Sequence, residues 1–153
     1  MALQLLIFIV FVFTVFFHNG IQAYIHLEAY PLLAFVGTAE FPAYLKEYES
    51  RLTLPLLVPY GISLLTNLIL FFLRPAGAGI ILLIIAFVLN LAVSVVTLRI
   101  ATPVYNRIQQ AGHTDQAGLA ELMQINLYRL GLSSLTSLVV AVLLFGLLSS
   151  IPT

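Results

Sequence analysis

Residues 75–98 read PAGAGIILLIIAFVLNLAVSVVTL, a run between Arg74 and Arg99 that contains no Asp, Glu, Lys or Arg. As a helix rising ~1.5 Å per residue it covers ~36 Å, more than the ~30 Å hydrocarbon core of a bilayer. Three other stretches, Met1–Leu27, Leu52–Leu73 and Leu130–Thr153, are equally free of charge. Even the shortest of them reaches ~33 Å as a helix. A backbone in lipid must satisfy its own hydrogen bonds, so these stretches are read as helices and not as open strands. The expectation is an all-α integral membrane four-helix bundle, with spans at about 3–27, 54–73, 78–99 and 129–149. Four spans in 153 residues leave no room for a separate soluble domain, so 1–153 is read as a single membrane domain.

Composition agrees. Hydrophobic residues make up 61% of the chain and charged residues 8%, against roughly 25% charged in an average soluble domain. A soluble fold of this size could not cover its surface with so few charges. The first span lacks the basic start of a signal peptide and is too long for its apolar segment, so it is read as a retained helix. With no cysteine, disulfides, thiolate catalysis and cysteine-held metal centres are excluded. The balanced net charge gives no reason to propose nucleic acid as a partner.

The connecting segments carry start and stop signals. Gly37-Thr38 before Ala39-Glu40-Phe41-Pro42 reads as a break and a new helix start, with Thr38 as the cap and an acid in the first turn. That helix is expected to run through Tyr44–Tyr48 into span two and to bend at Pro55 or Pro59. Arg74-Pro75-Ala76-Gly77 and Gly112-His113-Thr114-Asp115 read as turns, and Pro103 is expected to kink the extension of span three. No internal repeat, low-complexity tract or lipidation motif is visible.

Charge falls almost wholly at one end. Segments 28–53 and 100–128, with their flanking residues, hold all six acids and Lys46, Arg51, Arg99, Arg107 and Arg129. Arg74 stands alone at the other end. The excess of Lys and Arg puts these segments in the cytoplasm, for a multi-pass protein of a plasma or inner membrane.

Polar residues within the spans recur at helical spacing. Span one offers Thr14, His18, Gln22 and His26; span two Ser63, Thr66 and Asn67. Span three offers Asn90, Ser94 and Thr97, and span four Asn126, Arg129, Ser133 and then Thr136 or Ser137. Side chains of this kind turn inward because lipid cannot satisfy them. His18, Gln22, His26, Asn90, Ser94, Asn126, Arg129 and Ser133 fall in the half nearest the charged end, with Asn67 deeper. A polar pocket opening toward that end follows. For most of the hydroxyl residues a plain hydrogen bond across a helix interface accounts for their presence.

The ionisable residues need more, since each costs ~2.5–3.5 kcal/mol at the bilayer centre. Arg129 is either snorkelling to headgroups or part of the interior, and its shared face with Asn126 and Ser133 favours the interior. His18 and His26 lie ~12 Å apart along one helix, too far to share an ion held at ~2.1 Å. No metal site and no cofactor are assigned. An acid–base role is the remaining chemistry: His26 or His18 takes a proton from a lipophilic weak acid while Arg129 stabilises the anion. Catalysis is thus assigned to His26 and Arg129, and ligand binding to His18, Gln22, Asn90, Ser94, Asn126 and Ser133.

Two segments resemble a known family. His26-Leu27-Glu28-Ala29-Tyr30-Pro31-Leu32-Leu33-Ala34-Phe35-Val36-Gly37, then Glu40-Phe41 and Tyr44, is similar to the first linker of small four-helix membrane proteins related to the anthrone-oxygenase-like proteins. Thr102-Pro103-Val104-Tyr105-Asn106 and Asn126-Leu127-Tyr128-Arg129 resemble that family's Pro–Asn segment and Asn-x-x-Arg. Members often carry a tryptophan just before the latter, and this chain has none. The resemblance implies the four-span layout over the whole chain and, as an activity, oxygenation of anthrone-like molecules. Two functions of different kinds therefore stand: a bundle that binds a lipophilic small molecule, as an oxygenase-like enzyme or otherwise, and an accessory subunit of a larger membrane complex or homo-oligomer. The phenylalanines of span one (Phe8, Phe11, Phe13, Phe16, Phe17) suit contact with such neighbours or with lipid.

Overall fold

The computed structural model describes residues 2–113 and 116–149. Six α-helices are named in chain order: α1 Ala2–Tyr24, α2 Tyr30–Leu32, α3 Phe41–Leu73, α4 Ile80–Val96, α5 Thr102–Ala111 and α6 Gln116–Ser149. α1 passes through a π-helical turn at Ile25–Ala29 into α2 and a 3-10 turn at Leu33–Phe35. α4 passes through a second π-helical turn, Thr97–Ala101, into α5. Four continuous apolar rods result, Ala2–Phe35, Phe41–Leu73, Ile80–Ala111 and Gln116–Ser149, of 34, 33, 32 and 34 residues. All four are long and apolar enough to cross a membrane, and the chain is a multi-pass membrane protein with an all-α four-helix bundle. At ~1.5 Å per residue each rod is ~50 Å long. The expected spans are therefore the apolar parts of longer helices, which project beyond the bilayer at the charged end.

α1 packs against α3 and α6, and α4 packs against α6 and, along a thinner seam, α3. The bundle closes as a ring of two helical hairpins. In the half away from the charges, Phe8, Phe11, Val15, Leu70, Leu83, Ala86, Val140 and Leu143 form a dry core. In the charged half, Ile25, Leu33, Phe41, Leu45, Leu122 and Ile125 pack together. Phe72, Ile81 and Phe145 are among many large apolar side chains on the outside. The phenylalanines of span one divide between these roles: Phe8 and Phe11 are fully buried core residues, and only Phe13, Phe16 and Phe17 face outward.

Gly37 breaks the chain as expected, but Thr38 does not cap the next helix. The N-cap is Glu40, without a side-chain cap bond, and the first turn holds no acid. The Glu40 and Phe41 amides instead donate to the Gly37 carbonyl at 3.2 and 2.9 Å. Pro42 sets this start, since a residue without N–H and with φ near −65° suits the first helical turn. α3 then runs unbroken through Pro55 and Pro59. Pro75–Ala78 is a tight turn closed by the Ala78 amide on the Pro75 carbonyl, with Gly77 at φ 90°, a conformation that favours glycine. Gly112 ends α5 in the left-handed conformation; Thr114 and Asp115 of the expected turn lie outside the described residues.

Pro31 and Pro103 act through the turn before them. A proline inside a helix removes one hydrogen bond and its ring collides with the carbonyl four residues back. In both places the chain widens into a π-turn, and the next residue, Tyr30 or Thr102, donates its amide to the carbonyl five back, Ile25 or Thr97. The Thr102 hydroxyl adds a second bond to the Thr97 carbonyl at 2.9 Å. The expected kink at Pro103 is thus a local widening that precedes the proline. Although the sequence shows no repeat, the architecture repeats. Positions 25 and 97, and 31 and 103, are separated by the same interval, as are His18 and Asn90, and Gln22 and Ser94.

Candidate functional site

Arg129 is the centre of the polar half. It sits on α6 with 5% of its surface exposed, so it belongs to the interior and does not snorkel. Its Nε and Nη2 donate to Gln22 Oε1 at 3.3 and 3.0 Å, and the Tyr30 hydroxyl also lies against the guanidinium. Gln22 is held in turn from both sides. Its backbone carbonyl accepts from Asn126 Nδ2 at 3.1 Å, and its Nε2 lies 3.2 Å from His18 Nε2. Because Gln22 Oε1 already accepts from arginine, Nε2 is the donor toward His18, which then accepts at Nε2 and carries its proton on Nδ1.

No carboxylate pairs with Arg129 among the described residues. The ion pairs found there, Arg51–Glu47 and Arg107–Glu121, are exposed ones at the charged end. A buried charge without a counter-charge is costly, and one glutamine carbonyl offsets only part of that cost.

Two cavities meet at this residue. The upper one, about 260 Å³, is lined by Tyr30, Tyr48, Glu49, Thr102, Tyr105 and Asn106, with Ile25 and Ala101 from the two π-turns. The lower one, about 230 Å³, is lined by His18, Gln22, Leu57, Tyr60, Val93, Ser94 and Leu98. Leu56, Thr97 and Arg129 line both. Together they form one crevice along the α3–α4 seam. The Tyr48 and Tyr105 hydroxyls are buried and without a hydrogen-bond partner among the described residues. Buried phenols normally find one. π-turns commonly occur at functional sites, and here both contribute to the walls.

The residues singled out from spacing separate into three groups. His18, Gln22, Ser94 and Arg129 line the crevice. Asn126 and Ser133 are buried beside it as ties, and Asn90 is buried with its side-chain Nδ2 unpartnered among the described residues, its backbone alone taking part. The Asn90 carbonyl accepts from the Tyr60 hydroxyl at 2.6 Å, and that hydroxyl also bonds Ser94 Oγ. Ser133 donates to Asn19 Oδ1 at 2.7 Å, and Ser134 does so at 3.1 Å. His26 is not brought in: it lines neither cavity, and its Nδ1 is buried without a partner among the described residues. Most of the hydroxyls also differ from expectation, bonding their own helix and not a neighbour. Thr14, Ser63, Thr66, Thr97, Thr136 and Ser137 each donate to a carbonyl three or four residues back. Such back-bonding satisfies a hydroxyl without any partner helix. Asn67 does bridge helices: with its carboxamide in the orientation that satisfies both neighbours, its nitrogen donates to the Leu83 carbonyl and its oxygen accepts from the Phe87 amide, both at 3.2 Å.

Spacing missed Tyr48, Tyr60 and Asn19 altogether. Tyr30, Tyr105 and Asn106 were visible only as parts of the two segments that carry the family resemblance. No group of three His, Asp or Glu side chains among the described residues is placed to hold a metal. Comparison with protein families, curated proteins and solved structures found no match.

Proposed function

We propose that the bundle binds a lipophilic small molecule bearing an acidic group, with that group at Arg129. The observation that carries this reading is a buried guanidinium, without a counter-charge among the described residues, beside a cavity lined by two tyrosines whose hydroxyls are buried and unpartnered. An anion there would complete the electrostatics and the hydrogen bonding together. The resemblance to anthrone-oxygenase-like proteins supplies one such ligand class, since an anthrone is a lipophilic weak acid. On that reading His18, and not His26, is the acid–base group beside the ligand, because only His18 lines the crevice. The charged end faces the cytoplasm of a plasma or inner membrane, following its excess of Lys and Arg.

The test is binding of cis-parinaric acid, a fluorescent long-chain acid, and of a hydroxyanthrone to the full chain in nanodiscs. Both are expected to bind, and Arg129→Gln to weaken each at least thirtyfold. Equal binding by the variant would sink the proposal. Oxygen uptake on adding the hydroxyanthrone, lost in His18→Phe, would identify an oxygenase; binding without uptake would identify a carrier or sensor.

A further inference from the structure

We infer that the ligand reaches Arg129 sideways from the bilayer, between α3 and α4, and that it is a monobasic acid whose apolar body fills the lower lobe. This rests on the binding site proposed above and specifies its route and ligand class.

The route follows from how the two seams between hairpins are joined. The α1–α6 seam is tied at its polar half by Asn126 and Arg129 on Gln22 and by Ser133 and Ser134 on Asn19. The α3–α4 seam is tied far down by Asn67 and midway by Tyr60 on Asn90 and Ser94. Between Tyr60 and the Gln109–Glu49 contact at the charged end, no side-chain hydrogen bond crosses that seam among the described residues. The crevice occupies this interval. Its outer wall is formed by Leu57 and Leu98, which line the lower lobe and are 54% and 69% exposed. In a bilayer that exposure is to acyl chains, so the lower lobe opens on lipid.

The ligand class follows from the two lobes. Each alone is smaller than a usual small-molecule pocket of ~300–1,000 Å³, and the two together reach that range. The upper lobe is lined by Tyr30, Tyr48, Tyr105, Thr102 and Asn106; the lower lobe is walled by Leu56, Leu57, Val93 and Leu98. This is the shape of an amphiphile, head up and body down, with Arg129 at the junction. Glu49 sets the charge. It lines the upper lobe, where its carboxylate opposes a second negative charge. A carboxylate or phenolate balances Arg129, whereas a phosphate monoester dianion adds repulsion.

The chain has no cysteine, so thiols can be placed cleanly. Leu57→Cys with Leu98→Cys, bridged by a cleavable bismaleimide, is expected to slow association of cis-parinaric acid at least tenfold in nanodiscs. Cleaving the bridge restores the rate to that of the same double variant carrying two monofunctional maleimides, so the closure and not the substitutions is what is read. Tyr60→Phe, which removes the midway tie, is expected to raise the on-rate about fivefold, and an on-rate no faster than that of the unmodified protein counts against entry through this seam. An unchanged rate in the bridged protein overturns the lateral route while leaving Arg129-dependent binding intact. Absence of binding in the unbridged protein overturns the underlying site instead. In competition, hexadecanoate is expected to displace the probe at least tenfold better than hexadecyl phosphate, with Glu49→Gln narrowing the gap. A phosphate equal to the carboxylate overturns the monobasic assignment.

Discussion

The two halves of this bundle share four helices and differ in almost everything else. The half away from the charges is filled by Phe8, Phe11, Leu70, Leu83 and Leu143, with Asn67 satisfied on the α4 backbone. The charged half holds a buried arginine, a glutamine, a histidine and three tyrosines around open space. Packing is nearly the whole content of the first half. In the second, packing has been exchanged for unpartnered polar groups, which natural interiors tolerate chiefly at functional sites.

Three substitutions separate the halves. Phe11→Ala strikes the dry half: losing the ring leaves roughly 100 Å³ of void, which at ~24 cal/mol per Å³ costs about 2 kcal/mol. Denaturant titration in mixed micelles is expected to show that loss, with ligand affinity per folded molecule unchanged. Gln22→Leu strikes the other half. It removes the acceptor that orients Arg129 and the donor to His18, and ligand affinity is expected to fall about tenfold, or about 1.4 kcal/mol. A fall no greater than that of a neutral change in the dry half would erase the distinction. Pro103→Ala is the mildest. It restores an amide donor just after the second π-turn and favours a regular helix there, so affinity is expected to drop about threefold while thermal stability holds or rises. A crevice unaltered in that variant would show that the prolines are not what widens it.

Much of this was legible in the sequence. Charge-free runs marked the spans, and spacing by three and four marked the line His18–Gln22 and the line Asn126–Arg129–Ser133. The burial of Arg129 followed from its companions on the same face. What resisted reading has physical causes. A π-turn inserts a residue into the helical register, so faces projected from regular spacing fail beyond Tyr24; this separated His26 from the residues it was grouped with. Tyr30, Tyr48 and Tyr105 lie where the helices extend past the expected spans and resemble ordinary interfacial aromatics. The self-satisfaction of the hydroxyls depends on side-chain rotamers, which spacing does not encode. Asn19, adjacent to His18, is turned about a hundred degrees from it around the helix and so falls off the spaced line, yet it reaches α6.

The bond between Gln22 and Arg129 also has a direction in time. The chain is made from its amino end, so the hairpin that carries Gln22 is complete before Arg129 leaves the ribosome. The membrane therefore receives the acceptor first and the cation last, sparing the bilayer an interval in which the arginine has nothing to bind. Exchanging the two hairpins in a circular permutant reverses that sequence of insertion without altering the finished contacts. Its yield in the membrane would measure how much the order of synthesis contributes to assembly.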